Sequence, residues 1–225
     1  MNKRMVSLIT QTAFVAAFAL CYLGVARADG APSPNIVQNP GFESWAVITD
    51  LGNPPIKTDA GSMPVSWDPD AEAPDPKVSS GTYSCGVFKD TIVKHGGNAS
   101  VRIESGRTVD IGGIIQQMDL EPNTKYQVTA WYKGDNIVVD GDAGVFIWAV
   151  YGPKDDYWNH MTFWAKKPDV HDGTFDWTLF KDTFDTNATA GTVRLTLQLR
   201  KATGKLWFDD IEVRKIGPVT PVKSF

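Results

Sequence analysis

Cysteine is almost missing from this 225-residue chain, in which Cys21 and Cys85 are the only two. Cys21 lies in a segment expected to be cleaved off, so no internal disulfide can form and stability must come from the core. Cys85 is read as a small apolar residue of a strand rather than a reactive thiol. Histidine is nearly as scarce. His95, His160 and His171 lack metal-ligand spacing, which excludes the paired-histidine zinc hydrolases. There is no Gly-x-Ser-x-Gly elbow and no glycine loop of the kind that cradles phosphate. Basic charge is not in excess either: 22 Lys and Arg stand against 26 Asp and Glu. Such a chain has no footprint for nucleic acid or anionic lipid.

One apolar run is present, from Phe14 to Val25, behind the basic start Asn2-Lys3-Arg4 and ahead of Ala26-Arg27-Ala28. It is too short to span a bilayer and reads as a secretory signal, residues 1–28, cut after Ala28. Leu20 is too bulky for lipid attachment at Cys21. The expected product is exported, extracellular or periplasmic, and not held in a membrane. Losing Lys3, Arg4 and Arg27 moves the net charge from −4 to −7. What remains suits one all-β domain.

Helical spacing is absent past the signal, and alternation takes its place. Residues 29–35 read as a loose leader, 36–216 as the folded body and 217–225 as a tail. Between Asp50 and Lys77 the prolines Pro54, Pro55, Pro64, Pro69, Pro74 and Pro76 predict an irregular excursion without helix or central strand. Beyond it, strands are predicted at 100–104, 114–120, 126–133, 145–151, 177–184, 193–200 and 206–213. Turns are predicted at 121–124, 134–136, 152–153 and 202–204. The pattern is that of an antiparallel two-sheet β-sandwich or barrel. The strict alternation from Val193 to Arg200 puts Val193, Leu195, Leu197 and Leu199 in the core, with Arg194, Thr196, Gln198 and Arg200 on the other face. Tyr126, Val128, Ala130 and Tyr132 are likewise assigned inward, leaving Gln127, Thr129, Trp131 and Lys133 outward. In the next strand Val145, Ile147 and Ala149 are assigned to the core, with Phe146 and Trp148 outward.

Two motifs bracket this body: Asn39-Pro40-Gly41-Phe42-Glu43 near its start and Trp207-Phe208-Asp209-Asp210-Ile211-Glu212-Val213 near its end. Acidic motifs at opposite ends of a β-rich chain suggest that the ends meet. With Pro64-Val65-Ser66-Trp67, residues 95–103, Gln116 to Leu120 with Pro122, Tyr126 to Lys133 and Trp177 to Phe184, they form seven pieces in order. In these pieces the chain resembles the jelly-roll carbohydrate-binding modules of families 4 and 9, with relatives in families 16 and 22, of the galactose-binding-domain-like superfamily. The resemblance spans about residues 36–216. It implies a jelly-roll sandwich, a sugar bound on a concave face or at loop tips, and often a structural calcium.

Carried over residue by residue, Glu43, one of Asp209 and Asp210, and the Gly41 carbonyl would hold Ca²⁺, with Asp209 favoured and the Gly96-Gly97-Asn98 turn completing the shell. The alternative is that these acids cap turns and accept backbone amides. For the sugar, pyranose faces stack on aromatic rings while hydroxyls need planar polar partners. Trp131 and Trp148 are the expected platform, on one face with Gln127, Gln198 and Arg200. Gln117 and Trp158 are further candidates; Gln116 fits the family pattern but can equally bridge strands. The aromatic stretch 157–164 is read as a loop, with Trp164 packing on the sandwich more readily than Trp158. Trp67, Trp177 and Trp207 are read as structural.

The expected function is non-catalytic binding of a polysaccharide or oligosaccharide, alone or beside a separate glycoside hydrolase. A surface or matrix protein that reuses the fold for protein contacts is the alternative, as is a small enzyme acting on glycosidic bonds.

Overall fold

The computed structural model describes residues 32–52, 55–72, 85–109, 111–156 and 161–219. The expected signal peptide and Trp158 lie outside these residues. Ten strands and no helix are found among the described residues: β1 (Trp45–Val47), β2 (Ser62–Pro64), β3 (Asp68–Glu72), β4 (Gly86–Asp90), β5 (Ser100–Val109), β6 (Ile111–Asp119), β7 (Thr124–Gly152), β8 (Thr162–Lys166), β9 (Gly173–Asp185) and β10 (Thr192–Pro218). β1 and β2 pair with each other, and the other eight form one antiparallel sheet. The all-β expectation holds.

The sheet is organised by two long strands. β7 and β10 pair along their whole length, from Thr192 opposite Gly152 to Pro218 opposite Thr124. Beside the first part of β7 lies β9, and beside the facing part of β10 lies β5, then β4. Beside the last part of β7 lies β8, and beside the facing part of β10 lies β6, then β3. The strands thus make two five-stranded layers, β4-β5-β10-β7-β9 and β3-β6-β10-β7-β8, that share their two central strands. Inward side chains of both layers join one apolar core, which holds Ile103, Val128, Ile147, Leu197 and Phe208, each fully buried.

Two sequence expectations change here. The predicted turns at 134–136 and 202–204 are not turns: β7 and β10 run through them as irregular, bulged strand. Asn136 and Lys201 take left-handed φ of 51° and 41°. Gly204 has φ 114°, and a Cβ there would come within 2.5 Å of the Asn136 carbonyl oxygen. The two glycine-bearing segments therefore lie side by side, and bulges of this kind bend both strands where one layer passes into the other. The bulges also switch which residues face inward. In β7 the core takes Val128, Ala130 and Tyr132 before the bend but Val145, Ile147 and Ala149 after it, all at most 1 % exposed.

The face assignments within single strands hold. Val193, Leu195, Leu197 and Leu199 are 0–1 % exposed. Burying each such side chain contributes about 2 kcal/mol. Cys85 is buried in the core. The proline-rich excursion does contain strand, but β3 lies at an edge, where Pro69 removes no central ladder bond. Residues 162–166, expected to be loop, pair with β7 as β8, and Trp164 packs toward Phe184 with ring centroids 5.4 Å apart.

The chain ends do meet. Ile36 donates to the Val213 carbonyl at 2.9 Å, Ile211 donates to the Pro40 carbonyl at 2.9 Å, and the Asn35 carboxamide oxygen accepts from Val213 at 2.9 Å. Ser33, in the expected leader, bonds to the Lys215 carbonyl, so the ordered body begins before residue 36. β10 likewise continues to Pro218, past the expected boundary at 216.

Candidate functional site

Because β7 reverses its facing at the bend, the outward residues of its two parts belong to different layers. Trp131 and Gln127 lie on the outer face of the β4-β5-β10-β7-β9 layer. Trp148 lies on the outer face of the other layer with Gln198 and Arg200. The expected single platform of five residues is therefore split: each layer turns its inner face to the common core, so the two outer faces point away from one another. Strand-by-strand alternation has no means of registering the bulge at Gly134 to Ile137.

On the second layer, Asp70, Ile111, Ile115, Trp148, Arg194, Gln198 and Arg200 are among the residues that line a cavity of about 210 Å³. Each strand supplies part of it. β6 gives an apolar floor, through Ile111 and Ile115. β10 presents its polar face, with Thr196 opposite Trp148 and Gln198 opposite Phe146. β8 borders the far side with Phe163, which is 58 % exposed. The small Ala165 stands opposite Trp148. Gly113 lies between Asp70 and Gln198 in the ladder, with no side chain in the way. A Cβ at Gly113 would sit 3.2 Å from Gln198 Cγ. Across that gap Gln198 Nε2 donates to Asp70 Oδ2 at 2.8 Å.

Arg200 places its guanidinium 5.0 Å from the Trp148 ring centre and 5.9 Å from that of Phe146. Burial pushes the Asp70 carboxyl above its ordinary range, partly offset by the Gln198 amide, Arg194 and Arg200. Two polar atoms of this wall have no hydrogen-bond partner although both are buried: Trp148 Nε1, a donor, and Gln198 Oε1, an acceptor. Buried polar atoms are ordinarily paired, and an orphaned one costs about 1–3 kcal/mol. Trp67, Trp164 and His171 also carry an unpartnered ring nitrogen, but none of them lines this cavity.

Trp131 has different surroundings. The His95 imidazole stacks on it at 3.9 Å with planes 15° apart, and the edge of Trp177 approaches His95 at 5.7 Å. With Gln127, Leu179, Lys181 and Glu212 it borders a separate cavity of about 510 Å³.

The end motifs converge beside it. Glu43 Oε1 accepts from the Asn98 amide at 2.7 Å, and Glu43 Oε2 from the Asn98 side chain at 3.2 Å. The Asn98 amide above all holds the Glu43 carboxyl below its usual range. Asp209, fully buried, accepts from the His95 and Gly96 amides at 2.8 and 3.0 Å and from the Asp210 amide at 2.9 Å. Desolvation pushes its carboxyl up, although the two turn amides oppose this. Asp210, at φ 48°, meets His95 Nδ1 at 2.7 Å.

A Cβ on Gly41 would lie 3.5–3.9 Å from one oxygen each of Asp210, Asp209 and Glu43. The donor chemistry thus suits a hard cation. Among the described residues, however, no three ligating side chains stand at a spacing that holds an ion. The acids do act as acceptors for the 95–99 turn, which is the other reading of them.

Of the remaining candidates, Gln117 is exposed on the same outer face as Ile115, opposite Arg194 and past the end of the cavity. Gln116 bridges segments: it accepts from the Gln38 amide at 2.8 Å and donates to the Gln38 and Ser66 carbonyls. Trp67 and Trp207 are buried, the latter donating to Asp90 at 2.9 Å. Sequence reasoning did not select Asp70, Ile111, Ile115 or Phe163 for the site. Arg194 and Thr196 were legible as face-mates of Gln198. Asp70 was not, because the proline-rich stretch has no periodicity to assign its face.

No protein-family model matches the chain, and no curated protein does. Solved structures do match. The CBM22-1 xylan-binding domain of Paenibacillus barcinonensis Xyn10C aligns at TM-score 0.50 and 11 % identity, over 83 % of this chain and 97 % of that one. The fold is that of a jelly-roll carbohydrate-binding module. The enzymatically active domain of bacteriophage CBA120 tailspike protein 4 aligns at TM-score 0.52 and 10 % identity over 81 % of this chain, which spans about a fifth (21 %) of the tailspike chain's length. At such identities the likeness is one of architecture, and the expected resemblance holds at that level.

Proposed function

We propose that the chain is an exported, non-catalytic carbohydrate-binding protein that holds a polysaccharide or oligosaccharide in the cavity around Trp148. The observation that carries this reading is the pair of orphaned buried atoms, Trp148 Nε1 and Gln198 Oε1, in the wall of one cavity. One is a donor and the other an acceptor. A sugar hydroxyl is both at once and satisfies either, while the Trp148 ring offers an apolar face for the C–H side of a pyranose.

On this reading Asp70, a carboxylate of the described lining, serves the wall through its bond to Gln198.

Affinity electrophoresis against soluble polysaccharides tests the proposal. Retardation that Trp148→Ala abolishes, with folding intact, supports it; no retardation on any glycan rejects it. Release of reducing ends by the pure protein rejects the non-catalytic part. Calcium at the closure remains a separate proposal and carries none of the binding argument. It predicts a melting temperature that EDTA lowers and Ca²⁺ restores, and an EDTA-insensitive melt with no bound metal rejects it.

A further inference from the structure

We propose that the glycan held in the Trp148 cavity is acidic, a chain bearing uronate carboxylates, and that Arg200 is the residue that reads the charge. This rests on the carbohydrate reading above and names the ligand class.

The argument begins with charge. The chain as a whole is acidic, at −4. The described lining of this cavity carries two arginines, Arg194 and Arg200, beside Asp70. Burial disfavours the ionised form of Asp70. A guanidinium can donate to a neutral hydroxyl, but its strongest pairing is the charge-assisted one with a carboxylate.

Position is the second part. Arg200 holds its guanidinium against Trp148 and Phe146 through the π faces of those rings. Cation–π contact uses none of the in-plane N–H donors, which form a rigid fork matched to a carboxylate. Trp148 Nε1 and Gln198 Oε1, both without partners, lie on the same wall. A uronate residue has a C–H face for the ring, hydroxyls for the two orphaned atoms and a carboxylate for the guanidinium. A neutral hexose meets the first two but offers the guanidinium only uncharged oxygens.

The test is isothermal titration of the full chain with polygalacturonate and alginate, and with mixed-linkage glucan, unsubstituted xylan and a sulfated galactan, at 50 and 500 mM NaCl. The expected result is polyuronate binding at least about tenfold tighter than neutral-glycan binding, weakened by salt and reduced about tenfold or more in Arg200→Gln. Arg200→Lys should recover only part of the affinity, since an ammonium cannot make the forked contact. A melting temperature kept in Arg200→Gln shows that the loss lies in binding. Equal, salt-insensitive binding of neutral glucan or xylan overturns the inference while leaving the carbohydrate reading in place. So does equal binding of the sulfated chain, which would mean that charge alone is read. Failure to bind any of the glycans overturns both.

Discussion

Trp131 and Trp148 stand on the same strand and have opposite surroundings. Trp131 stacks against the His95 ring, next to a closure whose acids, Glu43 and Asp209, accept from amides of the 95–99 turn. Trp148 lies in a cavity wall where its own indole nitrogen and the Gln198 carboxamide oxygen are unpaired. Both regions are rich in aromatic and polar side chains, so composition does not separate them. Hydrogen-bond satisfaction does. The amide-held acids hold the chain together. On the proposed reading, the donor and acceptor left without partners on the cavity's lining residues are met by a ligand.

The strongest way to probe the closure is Asp209→Ala. It leaves three backbone amides without their acceptor at a fully buried site, and about 3 kcal/mol or more of stability should be lost in urea unfolding. Any change in glycan affinity should then track the unfolded fraction. Trp148→Ala should do the reverse: affinity falls by about 2 kcal/mol, roughly 30-fold, with little change in the unfolding midpoint. Trp131→Ala should leave glycan affinity unchanged in titration calorimetry. If Trp131→Ala abolishes binding while the fold survives, the two regions have been assigned the wrong way round.

Gln198→Ala should be smaller and mixed. It removes the open acceptor and strips Asp70 of its donor, so affinity and stability should each drop by about 1 kcal/mol.

The smallest effect concerns pH and falls on the closure's layer. Burial alone would raise the Asp90 carboxyl, but bonds from the Trp207 indole, the Val93 and Ile92 amides and Arg102 outweigh it and hold it below its ordinary value. A depressed folded pKa stabilises the protein above the unfolded value, near 3.9, and that contribution vanishes as pH falls through the folded one. Thermal melts should therefore lose this group's contribution as pH falls below roughly 4. Asp90→Asn should be less stable at pH 7 and should lack that part of the acid dependence.

Much of the architecture was legible beforehand because β-structure writes its facing into the sequence. The Val193–Arg200 alternation assigned the Leu195, Leu197 and Leu199 core and the Thr196, Gln198 and Arg200 wall without help from elsewhere. The meeting of the end motifs was legible from their chemistry. The site itself was legible only in part. Trp148, Gln198 and Arg200 do line one cavity, while Trp131 and Gln127 lie on the other layer: the facing within each strand was legible, the layer to which each strand belongs was not. Asp70 arrives from a proline-rich edge strand whose position depends on pairing with β6.

By itself, then, the sequence determined the all-β class, the inward and outward faces of each regular strand and the closure of the ends, since period-two alternation and turn chemistry are local properties. Tertiary structure alone decided that the segments around Gly134 and Gly204 are a shared bend and not two turns, because that depends on β7 and β10 lying side by side. With the bend came the reversal of facing that sent Trp131 to the closure and Trp148 to the cavity.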